Sequence, residues 1–212
     1  PNVVTVERTL AVDPGDFRLW VCLHEETHRA QFGAVPWLRD HLLSLIDAYL
    51  QAMDTDPVTV AGRLREGVVA LSRSMGRVWA GQQPEGVTLL EALQTPAQRE
   101  LLDRLTAVMS LVEGHAEVVM DEVGEAVVPS VATIRARFSQ RRATHGVADL
   151  LLRQLLGLEA KMRQYSDGAA FVRGVLERAG RDGFDAVWAG PENLPLISEL
   201  ADPDAWLRRV HS

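Results

Sequence analysis

Five residues near the start of the chain, His24-Glu25-Glu26-Thr27-His28, have the types and the spacing to hold a metal ion and to use it. Residues four apart on an α-helix are separated by about 40° in azimuth and about 6 Å in rise, so two imidazoles at that spacing can share one ion. Zinc accepts neutral imidazole nitrogens and, in a reactive site, keeps one position for water. Glu25 follows the first histidine, and its carboxylate projects from the same edge of the helix, where it can take a proton from that water. The bland alternative is a pair of core histidines satisfied by main-chain carbonyls, which would be the better reading for one histidine alone. Two at this spacing with a glutamate between them favour metal. Winding residues 17–32 on a helical wheel places Phe17, Trp20 and Val21 around the histidines and gathers Arg18, Glu26 and Arg29 on the other side. The histidines therefore face the interior. Cys22 lies about 160° round from His24, too far to share its ion, and reads as a small buried hydrophobe.

Such a site needs a third protein ligand, and the segment Val112-Glu113-Gly114-His115-Ala116-Glu117-Val118-Val119-Met120-Asp121 is the richest source. Leu102, Leu105, Met109, Val112, Ala116, Val119 and Met120 form one apolar stripe along a long helix, and Glu113 sits at its edge. A carboxylate there is partly desolvated, which is costly unless a cation pairs with it. His115 lies about 160° round from Glu113, so the two cannot serve one ion from a regular helix. Glu117 is only about 40° away and remains a rival. Gly114 would let another element approach closely. For a donor to stabilise the oxyanion of an attacked carbonyl, Tyr165 is the first choice because it ends a helix beside a turn, with Arg163 a similar candidate. The structural alternative for Tyr165 is packing against Phe171.

The elements that must position these residues are nearly all helical. Asp13 caps a helix opened by Pro14 and running to about Phe32, and Pro36 opens a second carrying Leu38, Leu42, Leu45, Ile46 and Tyr49. The stretch from Asp54 to Pro57 breaks it, a third helix spans about 58–79, and 81–86 is a loop. Thr95-Pro96-Ala97-Gln98 is a capping box that starts a long helix reaching Val123, with Gly124 ending it. Further helices are expected at about 130–143, 147–165 and 168–180, before a tail interrupted by Gly183, Gly190, Pro191, Pro195 and Pro203. Pro1 to Val12 alternates like a strand, with Val4, Val6 and Leu10 on one face. Since a lone strand needs neighbours, its partners are expected either in a missing upstream region or on another chain. The reading is one domain, 1–212, mainly α with a small β contribution at its N-terminus.

A length of 212 residues, 47% of them hydrophobic, suffices for one packed core. The net charge of −7 argues against nucleic acid as a partner, and the run Arg135, Arg137, Arg141, Arg142 reads as a solvated helix face. One cysteine excludes an internal disulfide framework, and no apolar stretch is long enough for a membrane partner. A soluble, cytoplasmic protein is expected. The five tryptophans read as core or interface anchors.

The HExxH pattern followed downstream by Glu-Gly-His-Ala resembles the gluzincin metallopeptidases, in which a Glu-Gly segment on a second helix supplies the third zinc ligand. More closely, the chain resembles an actinobacterial zincin-like family of candidate hydrolases. The similar stretches are Asp16-Phe17-Arg18-Leu19-Trp20, HEETHRAQF, Val35-Pro36-Trp37-Leu38-Arg39, VEGHAEVVMD, Lys161-Met162-Arg163-Gln164-Tyr165 and Val187-Trp188. The resemblance implies a zincin-like, metallopeptidase-type helical domain with zinc as cofactor. It implies Glu113 as third ligand beside His24 and His28, and Glu117, one turn later, as a carboxylate able to hold a ligand histidine. It implies further a hydrolase in which Glu25 activates water on a peptide, or on a small amide or ester. A non-catalytic metal-binding scaffold is the alternative, and self-association stays open. His28 and Glu113 lie further apart than in many gluzincins, so the intervening helices form an insertion.

Overall fold

Every regular element among the described residues is helical, including the segment whose alternation marks it as a strand. The computed structural model describes residues 2–52, 94–143 and 158–212, without the side chains of 2, 138, 139, 141–143 and 158–167. The helix expected at 58–79, the loop at 81–86 and the first part of the helix expected at 147–165 lie outside the described residues.

Helix α1, Asn2–Leu10, replaces the expected strand. Its apolar residues satisfy two periods at once, because Val6 and Leu10 are both two-residue multiples and one helical turn apart. Packing decides between them: Leu10 is buried and Val6 packs beside it against Phe17 of the next helix. Glu7, on the same face, is buried with its carboxylate held by Arg18 Nε at 2.8 Å and Nη2 at 3.1 Å. No sheet partner is needed for this segment. Ala11 then turns the chain at φ 49°, a left-handed conformation that a non-glycine residue adopts at some cost.

Helix α2, Pro14–Ala34, begins as its sequence dictates: Asp13 Oδ1 accepts from Asp16 N–H at 2.9 Å, and Pro14 occupies the first turn. Pro36 opens α3, Pro36–Gln51. In α4, Pro96–Val127, the capping box forms in full, with Gln98 N–H donating to Thr95 Oγ1 at 3.0 Å and Thr95 N–H to Gln98 Oε1 at 2.7 Å. Gly124 leaves the helical region at φ 61°, close to the expected end. Helix α5, Val131–Ala143, follows, and then α6, Leu158–Asp185. The break expected between Tyr165 and Gly168 is absent, and α6 changes direction only at Gly180, where φ is 68°. The tail makes three short 3₁₀ turns and then α7, Pro203–Val210, so Pro203 starts a helix rather than interrupting one. None of the described helices is long and apolar enough to cross a membrane.

Among the described residues helix α4 is the central element, and its packing with α6 is the most extensive between any two helices. The expected single stripe on α4 widens into burial on nearly every side between Thr106 and Met120. Small residues make this approach feasible. A Cβ on Gly114 would stand 2.2 Å from the main-chain carbon of Gly168, and one on Gly168 would stand 1.9 Å from the carbonyl oxygen of Ser110. Gly168 is therefore a contact residue inside a helix, and only glycine allows the two backbones this close.

Among the described residues the apolar interior divides in two. The larger cluster joins α3, α4, α6 and the tail through Leu38, Leu111, Phe171, Val187 and Trp206 among others. The tail is fastened to it by polar bonds as well. Trp206 Nε1 donates to the Asn193 carbonyl at 2.7 Å, Trp37 Nε1 to the Trp188 carbonyl at 3.0 Å, and the Arg209 guanidinium to Glu199 at 2.8 Å. The smaller cluster consists of Leu10, Phe17, Val128, Val131 and Ile134, drawn from α1, α2, the α4–α5 link and α5.

Candidate metal centre

Helix α2 crosses from one apolar cluster to the other, and His24 and His28 lie on the stretch between Phe17 in the small cluster and Phe32 against the large one. Their spacing sets both rings on the face that meets α4. Glu113, on α4, sits opposite them. Its two carboxylate oxygens lie 3.5 Å from His24 Nε2 and 3.5 Å from His28 Nε2, and the two Nε2 atoms are 3.1 Å apart. One donor atom from each of the three residues lies within 4.8 Å of the others. The edges of a tetrahedron with zinc–ligand bonds of 2.0–2.1 Å measure about 3.3 Å, so these separations suit one small cation. The rings are partly shielded, with side-chain exposures of 25% for His24 and 18% for His28, and the Glu113 carboxylate is more open at 42%. A hydrogen bond from His24 holds the Glu113 carboxyl below its ordinary range, against the upward push of burial.

The surrounding residues orient the rings. Trp20 stacks on His24 with centroids 5.8 Å apart and 16° between planes. His28 Nδ1 lies 2.8 Å from Gln31 Oε1. Gln31 is itself buried, and its Nε2 donates to the Val112 carbonyl at 2.9 Å and to His115 Nδ1 at 2.8 Å. The sequence reading overlooked Gln31. Its signal was present, since positions 24, 28 and 31 recur at i, i+4 and i+7 on one helical face.

The other residues of the expected constellation take separate places. His115 points away from the histidine pair, stacked on Phe184 with centroids 5.5 Å apart and edge-on to Trp188, and burial pushes its pKa down. Glu117 meets Arg173 at 3.2 Å instead of the ligand histidine it was expected to hold, and Arg173 also reaches Asp121 at 2.5 Å. Asp121 pairs in addition with Arg135, so that member of the basic run is not a freely solvated charge. Glu25 is exposed on α2 beside His24. Cys22 is exposed too, contrary to its reading as a buried hydrophobe: lying across the helix from histidines that face inward, it faces out. Tyr165 and Arg163 fall in α6, where their side chains are outside the described ones.

A family model described as zincin-like metallopeptidase matches residues 1–207. Among solved structures, the chain is similar to a candidate hydrolase with a novel fold from Chloroflexus aurantiacus, at 31% identity and a TM-score of 0.64. The match covers all of this chain and 57% of that one, so the chain spans a little over half of its relative's length. No curated protein matches.

Proposed function

This chain belongs to the zincin-like metallopeptidase family, and from that premise we propose that it is a zinc-dependent hydrolase with His24, His28 and Glu113 as ligands and Glu25 as general base. The observation that supports it best is the convergence of two imidazole nitrogens and one carboxylate on a single small volume. Two nitrogens and one oxygen are a donor set that zinc favours, and three protein ligands leave a position open for chemistry. When bound there, zinc supplies Lewis acidity towards the oxygen of water or of a substrate carbonyl. Glu25 takes the proton of the attacking water on a carboxylate oxygen and passes it to the leaving group. Its exposure fits a group that must meet a substrate entering from solvent. Trp20 and Gln31 restrict the motion of the two rings, so both nitrogens stay directed at Glu113. The substrate class we favour is a peptide, with a small amide or ester as the second reading. Tyr165, on a helix packed against α4, is retained as the proposed oxyanion donor.

The test combines metal analysis with digestion of a broad peptide library. Purified protein should carry about one zinc per chain, and His24→Ala and His28→Ala should each lose it. Glu25→Gln should keep the metal and lower turnover by about 10²- to 10⁴-fold, because the amide preserves shape without basicity. Full metal retention in both histidine variants would sink the site, and wild-type turnover in Glu25→Gln would remove that residue from the reaction.

A further inference from the structure

We propose that Gln31 is the positioning residue of this centre: its side-chain amide, clamped between the Val112 carbonyl and His115, fixes the tautomer of His28 that turns an unprotonated Nε2 towards Glu113. The inference rests on the metal reading above and adds a residue to it.

The argument turns on which end of the amide faces which neighbour. A main-chain carbonyl can only accept, so the Gln31 atom 2.9 Å from the Val112 oxygen must be the NH₂ nitrogen. The reverse orientation would set two carbonyl-type oxygens against each other in a buried space, where an unmet acceptor is costly. With the nitrogen so placed, Oε1 faces His28 Nδ1 at 2.8 Å. An amide oxygen also only accepts, so Nδ1 must carry the hydrogen. In neutral imidazole the other nitrogen is then bare, and that nitrogen is Nε2, 3.5 Å from Glu113 and 3.1 Å from His24 Nε2.

The second amide hydrogen of Gln31 goes to His115 Nδ1 at 2.8 Å. Both donors and the acceptor of the amide are thereby engaged, and Gln31 cannot rotate without leaving buried polar groups unmet. His115 is held in turn between Phe184 and Trp188. The histidine of the Glu-Gly-His segment thus acts behind the centre, as the anchor of the residue that aims His28. Ligand histidines generally donate their far nitrogen to such a partner, and losing it weakens metal affinity by about 10- to 100-fold.

Two measurements test the assignment on the full chain. Zinc affinity, by titration against a competing chelator, should fall about 10- to 100-fold in Gln31→Met, which keeps the shape and removes the acceptor. The same change should release His28 from its single tautomer in the zinc-stripped protein, because no acceptor is then left beside Nδ1. A merely structural amide would lower affinity in Gln31→Met with the tautomer of His28 unchanged, and that result would overturn the proposal, as would wild-type affinity in Gln31→Met. Independently of any variant, long-range ¹H–¹⁵N spectra of the zinc-stripped protein at alkaline pH should show His28 as the Nδ1–H tautomer. The Nε2–H tautomer would overturn the proposal. Wild-type protein that shows the Nδ1–H tautomer and takes up no zinc would overturn the metal reading itself, and with it the role of Gln31 in a metal site.

Discussion

The two apolar clusters of this chain differ in how they are built and in what they hold. The larger one is a close-packed assembly around α4 and α6, with two glycines letting the backbones touch and a tail pinned by hydrogen-bonded tryptophans and an arginine. It carries Glu113, Gln31 and the His115 anchor. The smaller one has five buried members among the described residues, and polar bonds such as Arg18 to Glu7 and Ser130 N–H to Asp16 Oδ2 at 2.8 Å help to hold it. It carries Trp20, on which His24 stacks. Fewer apolar contacts mean a lower free energy of local opening, so the two histidines of one motif stand on supports of unequal strength. A metal centre at such a seam is only as ordered as its weaker side.

The largest effect is expected where the strong side is tightest. Gly168→Ala places a methyl 1.9 Å from a main-chain oxygen of α4, which neither helix can avoid without moving apart. A loss of more than about 4 kcal/mol is expected in urea unfolding, a large share of the stability of an ordinary domain. A midpoint near wild type would show that the helices do not pack as closely as described. Phe17→Ala comes next, at about 3 kcal/mol for a buried aromatic ring. Its signature should be local. Hydrogen exchange should speed up in α1, α5 and the first half of α2 while the amides of α4 and α6 keep their protection, and equal acceleration everywhere would make the two clusters one cooperative unit.

The smallest effect concerns the tail. Burial pushes the Glu199 carboxyl up, but hydrogen bonds from Arg209 and the Leu196 N–H outweigh it, so the group titrates below its ordinary value. A carboxyl with a lowered native pKa adds stability above its unfolded value and loses that contribution as pH falls through the native one. Glu199→Gln should therefore cost about 1 kcal/mol at neutral pH. The gap from wild type should close as unfolding is repeated at progressively lower pH. A gap independent of pH would mean that the charge of Glu199 contributes nothing.

The legible parts of the molecule were those governed by short spacing. The caps at Asp13 and Thr95, the HExxH pair, the inward face of α2 and the place of Glu113 at the edge of an apolar stripe all follow from residues within a few turns of one another. The function of Gly114 as a point of close approach was legible too. What failed depended on partners far along the chain. Helix α1 was misread because six or seven residues rich in valine fit either period, and only contact with α2 and α5 settles the choice. A turn after Tyr165 is what the neighbouring residues suggest, and the close contact of Gly168 with Ser110 of α4, which suits an unbroken helix, comes from far along the chain. Cys22 was misplaced by its average habit of burial, although its angle from His24 already pointed outwards. Glu117 found an arginine on α6 that no local pattern could announce.

The bonds from Gln31 span 81 residues to Val112 and 84 to His115. Contacts so distant in sequence form late in folding, because the chain must first meet the entropy of closing a long loop. Every helix here could be wound and loosely gathered while the amide still lacked its carbonyl and the imidazole its acceptor. A compact intermediate with full helical circular dichroism would then have the motif without its centre. In refolding from urea, competence at this site should lag behind helix formation, which makes it a stricter witness of native packing than helix content.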